Sequence, residues 1–236
     1  MRLIEKLRRR LDDVSSPASV RIEEAVVPIS PDTPRSLRRA LQRGTYEGAE
    51  RRMLAAVLRP DDTVLELGTG IGLIATLCAK RIGGERVWTF EANPAMAEPI
   101  RATFALNGVS PRFEIAFVGD ADGTRPFFVN ASAPQSSSFT GRPGAERASE
   151  VRQVAFRDIM ERIRPTVLVV DVEGYEAELF DHAELDGVRA VCIEMHPDII
   201  GDAGCGKVVR RLLAAGFELA IDLCERRGLL FRRAMA

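Results

Sequence analysis

Aromatic side chains are scarce: one Trp, two Tyr and eleven Phe make up 6% of the 236 residues. That is too few for the stacking platforms on which a reader of flipped or single-stranded bases depends. Charge of one sign is missing as well. The 33 Lys and Arg face 34 Asp and Glu, and a net charge of −1 supplies no field to gather a polyanion. No stable nucleic-acid partner is therefore expected. Cysteine is limited to Cys78, Cys192, Cys205 and Cys224, with no CxxC pair and no dense Cys/His cluster. This excludes a disulfide scaffold and a thiolate zinc site, and it points to a reducing, cytoplasmic setting. No apolar run approaches the roughly 18 residues of a membrane span. The basic start, MRLIEKLRRRLDD, is followed by no apolar signal core.

What remains is the composition of a folded protein, 46% hydrophobic and 28% charged. Its charge is uneven, with basic residues in excess over 1–60 and acidic residues in excess beyond. Residues 1–60 read as a helical and loop cap. Leu3, Ile4, Leu7 and Leu11 space an amphipathic helix over 2–11, whose apolar face has the domain, a second subunit or an anionic surface as candidate partners, so a homo-oligomer stays open. A short extended stretch is expected over 20–27, a helix from about Ser36 and another over Tyr46–Leu58, stopped by Pro60.

From residue 61 the pattern becomes βαβ, the signature of an α/β fold with a mainly parallel sheet. Strands are expected at 63–67, 86–91, 112–118, 167–171 and 189–194, with helices at 72–81, 94–106, 175–180 and 204–214. Four residues separate FELAIDL (217–223) from GLLFRR (228–233), too few for a crossover helix, so those strands pair antiparallel. The excursion 119–166, with its Gly/Pro/Ser-rich NASAPQSSSFTGRPGAERAS, reads as an insertion or lid. RPFFVN and VRQVAF form a strand pair at its base.

The densest signal is TVLELGTGIGLIATLCA (63–79), where a β-branched strand ending in Glu66 gives way to Gly68, Thr69, Gly70 and Gly72 before an apolar helix. Glycines allow close backbone approach to a ligand, and helix-start amides favour its negative end. The spacing GxGxG departs from the GxGxxG of dinucleotide binders. Glu66 suits a cationic ligand group better than a pyrophosphate. Glu91 closes VWTFE 19 positions after Gly72, where a carboxylate accepts ribose hydroxyls. Together these pieces describe a nucleoside carrying an amino-acid tail.

The glycine turn, FEANP (90–94), Asn107, GDADG (119–123), VVDVEGYEAEL (169–179) and IEMHP (193–197) resemble the FkbM family of class I S-adenosylmethionine-dependent methyltransferases. RGTYEGAE (43–50) resembles that family's segment ahead of the first strand. The resemblance implies a Rossmann-like class I fold: a seven-stranded, mostly parallel sheet with a C-terminal antiparallel hairpin and an N-terminal helical cap. It also implies S-adenosylmethionine as cofactor and O-methylation of a sugar or natural-product hydroxyl. By it, Glu66 and Gly68–Gly72 surround the methionyl part, Glu91 with Ala92 holds the ribose, Asp120 marks the adenine side, and Tyr46 and Glu47 close over the cofactor. Val169 stands where the family often has Lys.

Strand 167–171 delivers Asp171 and then Glu173, and strand 189–194 delivers Glu194 and then His196, to the carboxyl edge where open α/β sheets bind ligands. His196 is the first candidate for general base, with Asp171 or Glu173 as alternatives and Glu194 as a further hydroxyl-binding group. The same set suits a divalent metal ion as an alternative to simple polar recognition. Glu176 and Glu178 are assigned to a solvated helix face, Trp88 to packing and His182 to an exposed position. Competing readings are a methyltransferase acting on nucleic acid or protein and a non-catalytic nucleoside-binding protein.

Overall fold

A computed structural model describes residues 17–130, 145–181 and 184–234. The amphipathic stretch 2–11, His182 and the middle of the 119–166 excursion lie outside the described residues. The stretch expected to be extended over 20–27 is two strands, β1 (Ser19–Ile22) and β2 (Ala25–Pro28), paired antiparallel with Ile22 opposite Ala25. Their turn lacks the Gly or Asn that usually signals a hairpin. Glu23 takes a positive φ of 52° instead. Ion pairs from Glu23 to Arg51 and Arg81, at 2.7 and 2.8 Å, and from Glu24 to Arg81, at 2.5 Å, fix the turn from outside.

Helices α1 (Arg35–Gln42) and α2 (Gly48–Val57) lie close to their expected places. The alternation of strand and helix then runs through β3 (Val64–Leu67), α3 (Leu73–Ile82), β4 (Val87–Glu91), α4 (Ala97–Asn107) and β5 (Arg112–Ile115). Ahead of α4, the Asn93 side chain accepts the Ala95 amide at 3.1 Å and Pro94 opens a 3₁₀ turn. At the far end, Asn107 accepts the Val26 amide at 2.8 Å and donates to the Val26 carbonyl at 2.6 Å. One side-chain amide thus pairs the β2 edge as a third strand would.

The strand expected over 112–118 breaks at Ala116, whose amide bonds the Glu91 carbonyl at 2.9 Å. Beyond it β6 (Phe117–Gly119) leaves for a second, three-stranded sheet with β7 (Gly123–Asn130) and β8 (Ala145–Ala155), in the order β6-β8-β7. The pairing expected between RPFFVN and VRQVAF is present, with Arg125 opposite Val151 and Phe127 opposite Ser149. Helix α5 (Phe156–Ile163) occupies part of the stretch read as an excursion. Its buried Phe156, Ile159, Met160 and Ile163 recur at helical spacing.

β9 (Val167–Val170), α6 (Glu176–Leu179), β10 (Ala190–Glu194), α7 (Pro197–Ala214), β11 (Phe217–Leu219) and β12 (Gly228–Arg233) complete the chain. α7 begins earlier than expected and is interrupted at Gly201 (φ 67°, ψ 173°), so the expected 204–214 lies in its second part. β11 is shorter than the expected 217–223 because Ile221–Leu223 forms a 3₁₀ turn. The main sheet has the order β11-β12-β10-β9-β3-β4-β5. Its central pairs are parallel, and β12 is antiparallel to both β10 and β11. This is the mostly parallel, seven-stranded, Rossmann-like class I arrangement with its antiparallel C-terminal hairpin.

Successive strand residues point to opposite faces, and here both faces are apolar, as a covered parallel sheet requires. In β9, Leu168 and Val170 pack with Phe156, Leu179 and Leu212 on one face, while Val167 and Val169 pack with Leu73, Leu77 and Ile100 on the other. Ile22, Val27, Leu41, Met53 and Leu54 join this second cluster, so residues 17–58 share a core with the sheet. Among the described residues no helix is long and apolar enough to cross a membrane.

At the amino edge, buried Asp62 ties three segments. It accepts Arg189 Nε at 2.8 Å, Thr166 Oγ1 at 2.7 Å and the Arg59 amide at 2.6 Å. Burial alone would raise its carboxyl; these hydrogen bonds outweigh that and hold it below its usual range. Removing one partner of such a pair strands the other's charge. Asp62→Ala is therefore expected to lower the urea-measured unfolding free energy by about 3 kcal/mol, with a smaller loss for Asp62→Asn; a loss within error for Asp62→Ala would show that the fastening lies elsewhere.

Candidate functional site

The strand order reverses between β3 and β9, and the glycine turn leaves the end of β3 at that crevice. A Cβ on Gly68 (φ 91°) would overlap the Asp171 carbonyl oxygen, so only glycine lets this turn lie against the end of β9. A Cβ on Gly70 (φ 58°) would come within 2.7 Å of Tyr46 Oη. Gly72 starts α3 and lies against Phe104, off the crevice.

Above the turn is one cavity of about 920 Å³. Tyr46, Glu47 and Glu50 bound it from α2 and the loop before it, Gly68 and Gly70 from the glycine turn, and Glu91 and Ala92 from the end of β4. Phe117 and Val118 add an apolar stretch, and Asp171, Glu173 and Glu194 complete the wall. Nine of the residues expected in the site thus meet around one space.

Glu91 is held by backbone amides, accepting Gly70 N at 3.1 Å on Oε2 and Asn93 N at 2.8 Å on Oε1, with the Thr69 and Ala92 amides also acting on it. Burial pushes its carboxyl up to about 7 against these hydrogen bonds. Glu66 is placed differently from the expectation that it meets the ligand: it is only 2% exposed and is absent from the cavity wall. The Thr89 hydroxyl donates to it, and Thr69 bonds Thr89 at 2.6 Å, so Thr69 is also turned beneath the turn. Burial raises Glu66 to about 8, opposed by the Thr89 hydrogen bond and helped by the charge of Glu91. Asp120 is likewise off the wall. The β6–β8 pairing carries it outward, where it accepts Gln153 Nε2 at 2.9 Å, and Phe117 and Val118 hold the place expected for it. Trp88 sits between Arg112 and Arg162, whose guanidinium carbons are 4.8 and 5.1 Å from its ring.

The carboxylate cluster is denser than the sequence suggests. His196 is 4% exposed and does not line the cavity; it stands behind Asp171 and Glu173. Its Nδ1 is 2.6 Å from Glu176 Oε1, and its Nε2 is 3.4 Å from Glu173 Oε2 and 3.7 Å from Asp171 Oδ1. Burial would lower its pKa, but the Glu176 hydrogen bond and the charges of Glu176, Glu173 and Glu194 outweigh it and hold the imidazole above its usual value. This geometry disfavours the free, neutral base expected at position 196.

Glu176, assigned by spacing to a solvated face, is fully buried. It accepts the Gly174 amide at 3.0 Å beside its bond to His196. Glu50 is the other acid the sequence reading passed over; it follows Glu47 by three positions, one helical face. Burial raises Glu47, Glu50, Asp171 and Glu194 alike; neighbouring acids reinforce it at Glu47, Asp171 and Glu194, while Arg51, Arg52 and His196 oppose it at Glu50. Glu47 and Glu173 reach the wall from left-handed backbone, φ 49° and 48°, a strain of roughly 1–3 kcal/mol each.

The family profile described as Methyltransferase FkbM domain matches residues 66–219. A ribosomal protein L11 methyltransferase of Thermus thermophilus is 38% identical over 74 residues, covering 31% of this chain and 27% of that protein. An arginine N(omega)-methyltransferase of Streptomyces achromogenes subsp. streptozoticus is 40% identical over 81 residues, 34% of this chain and 19% of its own length. The chain thus spans about a quarter or less of these curated relatives. A solved methyltransferase from Pyrococcus furiosus aligns over 98% of both chains at 14% identity, with a TM-score of 0.46.

The buried acids make stability depend on pH with a definite sign. Glu66 ionises near its ordinary 4.5 when unfolded but near 8 when folded, so its contribution is full below pH 4.5 and is lost as pH rises towards 8. The slope is at most about 1.4 kcal/mol per pH unit for one group. In ligand-free protein, Glu66→Gln is expected to flatten the fall in unfolding free energy between pH 5 and 8. Parallel curves for the two proteins would refute the assignment.

Proposed function

The chain belongs to the FkbM methyltransferase family, and from that premise we propose that it transfers the methyl group of S-adenosylmethionine to a hydroxyl of a small acceptor such as a sugar or natural-product scaffold. The observation that carries this reading is the continuity of one cavity from the glycine turn and Glu91 to Asp171, Glu173 and Glu194. The residues present fit the cofactor. Gly68 and Gly70 bring bare backbone to the cavity wall, and Glu91, oriented by backbone amides, lines the same cavity as an acceptor for ribose hydroxyls. Phe117 and Val118 supply an apolar surface for the base, with Tyr46 and Glu47 beside the amino-acid end. Glu66 supports the turn from beneath.

When bound, S-adenosylmethionine supplies a methyl group on a sulfonium, an electrophile ready for in-line attack. The chain's own task is positioning. Asp171 and Glu173 hold the acceptor hydroxyl. Glu194, whose carboxyl is raised by burial and by Glu50, receives its proton as the oxygen attacks, a better acceptor for being raised. His196 acts behind the wall, oriented by Glu176. The working compartment is the reducing cytoplasm, a reading supported by the four free cysteines. A second reading, a cationic nitrogen acceptor, is favoured by the density of carboxylates and by the arginine-methylating relative.

Calorimetric titration with S-adenosylmethionine, S-adenosylhomocysteine and NAD tests the cofactor. Both sulfur nucleosides are expected to bind and NAD is not, and Glu91→Ala is expected to weaken binding about tenfold, one charged hydrogen-bonding group's worth. Tight NAD binding with no response to the methyl donor would sink the proposal. Mass-spectrometric assay against hydroxyl-bearing and guanidine acceptors then separates the two readings. Glu194→Gln is expected to lower turnover of a hydroxyl acceptor about 100-fold with cofactor affinity unchanged; full turnover in that variant removes Glu194 from the mechanism.

A further inference from the structure

We propose that Asp171, Glu173 and His196 form a binding site for one divalent cation of the Mg2+ or Mn2+ class, His196 ligating through Nε2 and Glu176 orienting it from behind. One ligand atom from each of the three residues lies within 4.8 Å of the others. The separations from Nε2, 3.4 Å to Glu173 Oε2 and 3.7 Å to Asp171 Oδ1, are long for hydrogen bonds. They match ligand atoms sharing one ion: bonds of about 2.1 Å place neighbouring ligands roughly 3–4 Å apart.

A second, independent observation concerns the histidine's orientation. Its ring is buried, and Nδ1 is tied to the fully buried Glu176 at 2.6 Å. Glu176 is in turn fixed by the Gly174 amide. A histidine whose far nitrogen donates to a carboxylate presents an unprotonated Nε2 at the front, the arrangement that orients metal-ligating imidazoles. That lone pair faces two carboxylate oxygens. The contact is repulsive unless a positive charge lies between them, either a cation or a proton on Nε2. Asp171 Oδ1 is itself enclosed and has no hydrogen-bond partner, so the structure leaves a buried oxygen for such a charge to satisfy.

Asp171 and Glu173 also line the cavity, so a cation they ligate would stand beside the acceptor, and the two carboxylates would hold the hydroxyl through it. This role rests on the hydroxyl reading above. An acceptor oxygen bound there loses its proton more readily; the proton passes to Glu194, the O–CH3 bond forms, and the methyl–sulfur bond breaks with its electron pair left on sulfur. No oxidation state changes. Oxygen-rich ligands with a single imidazole, and a reaction that needs a Lewis acid and no electron transfer, favour Mg2+ or Mn2+ over softer metals.

Chelator-treated full-length protein titrated with Mn2+ and followed by the electron paramagnetic resonance of the free ion tests the site. One Mn2+ per chain, displaced by Mg2+, is expected. In the wild-type protein Mn2+ is also expected to broaden the ring-proton signals of His196, a readout that needs no variant. Asp171→Asn, Glu173→Gln and Glu176→Gln are each expected to weaken Mn2+ at least tenfold, while surface Asp158→Asn leaves it unchanged. No binding at millimolar Mn2+, or unbroadened His196 signals, means that a proton occupies the cluster and overturns the proposal. Mn2+ bound with these signatures while only guanidine acceptors are methylated upholds the cation site and overturns the hydroxyl reading.

Discussion

The site depends on β3 and β9 ending against each other with no side chain between them. The Asp171 amide bonds the Leu67 carbonyl at 2.8 Å, and the Gly68 backbone lies where any Cβ would overlap the Asp171 carbonyl. The strand order reverses at this place, so connections leave in opposite directions and open a crevice over the paired carboxyl ends. The glycine turn and the DVEG turn therefore share one wall. A larger residue at 68 would separate the group that fits the cofactor from the groups that face the acceptor, and the separation would act on Asp171 first.

Around that crevice the electrostatics follow from burial more than from charge count. Glu47, Glu50, Asp171 and Glu194 are raised chiefly because they are withdrawn from water, and repulsion from neighbouring acids adds to the effect at Glu47, Asp171 and Glu194. Such a wall carries protons or gathers positive charge, since ionised carboxylates this close and this dry oppose one another. A sulfonium, an ammonium and a divalent cation all answer the same need. Within the cluster the imidazole of His196 stands against Glu173 and Asp171, and Glu176 holds it in position. The result is a cavity complementary to cations inside a protein whose net charge is −1.

Legibility in the sequence followed the range of the signal. The sheet, its hairpin and the glycine turn rest on period, spacing and chain connectivity, which are local, and they stand where those rules place them. Asp171, Glu173 and Glu194 were legible because the ends of parallel strands converge on one edge. Glu66 and Asp120 were not, because whether a strand-end carboxylate faces a ligand or a neighbour depends on partners distant in sequence: Thr89 for one, Gln153 for the other. Glu176 shows the limit of helical periodicity. Its helix is one turn long, too short for a solvated face to be defined, and its partner His196 lies 20 residues on, beyond the next strand. The hairpin over 19–28 was hidden for a related reason, its turn being held by arginines remote in sequence instead of by a turn residue.

Arg51, one of the basic residues of the N-terminal segment, has a structural use that links these levels. Arg51 donates to the Gly44 carbonyl at 2.6 Å and the Tyr46 carbonyl at 3.1 Å, and it pairs with Glu23 at 2.7 Å. One guanidinium, with its donors in a fixed fork, thus fastens the loop before α2 to the β1–β2 turn. That loop carries Tyr46 over Gly70 and holds Glu47 in its left-handed conformation at the cavity wall. A neutral side chain at 51 could not satisfy two carbonyls and a carboxylate together. At position 51, positive charge is therefore used inside the fold to hold an acidic residue at the site, in a chain whose net charge is −1.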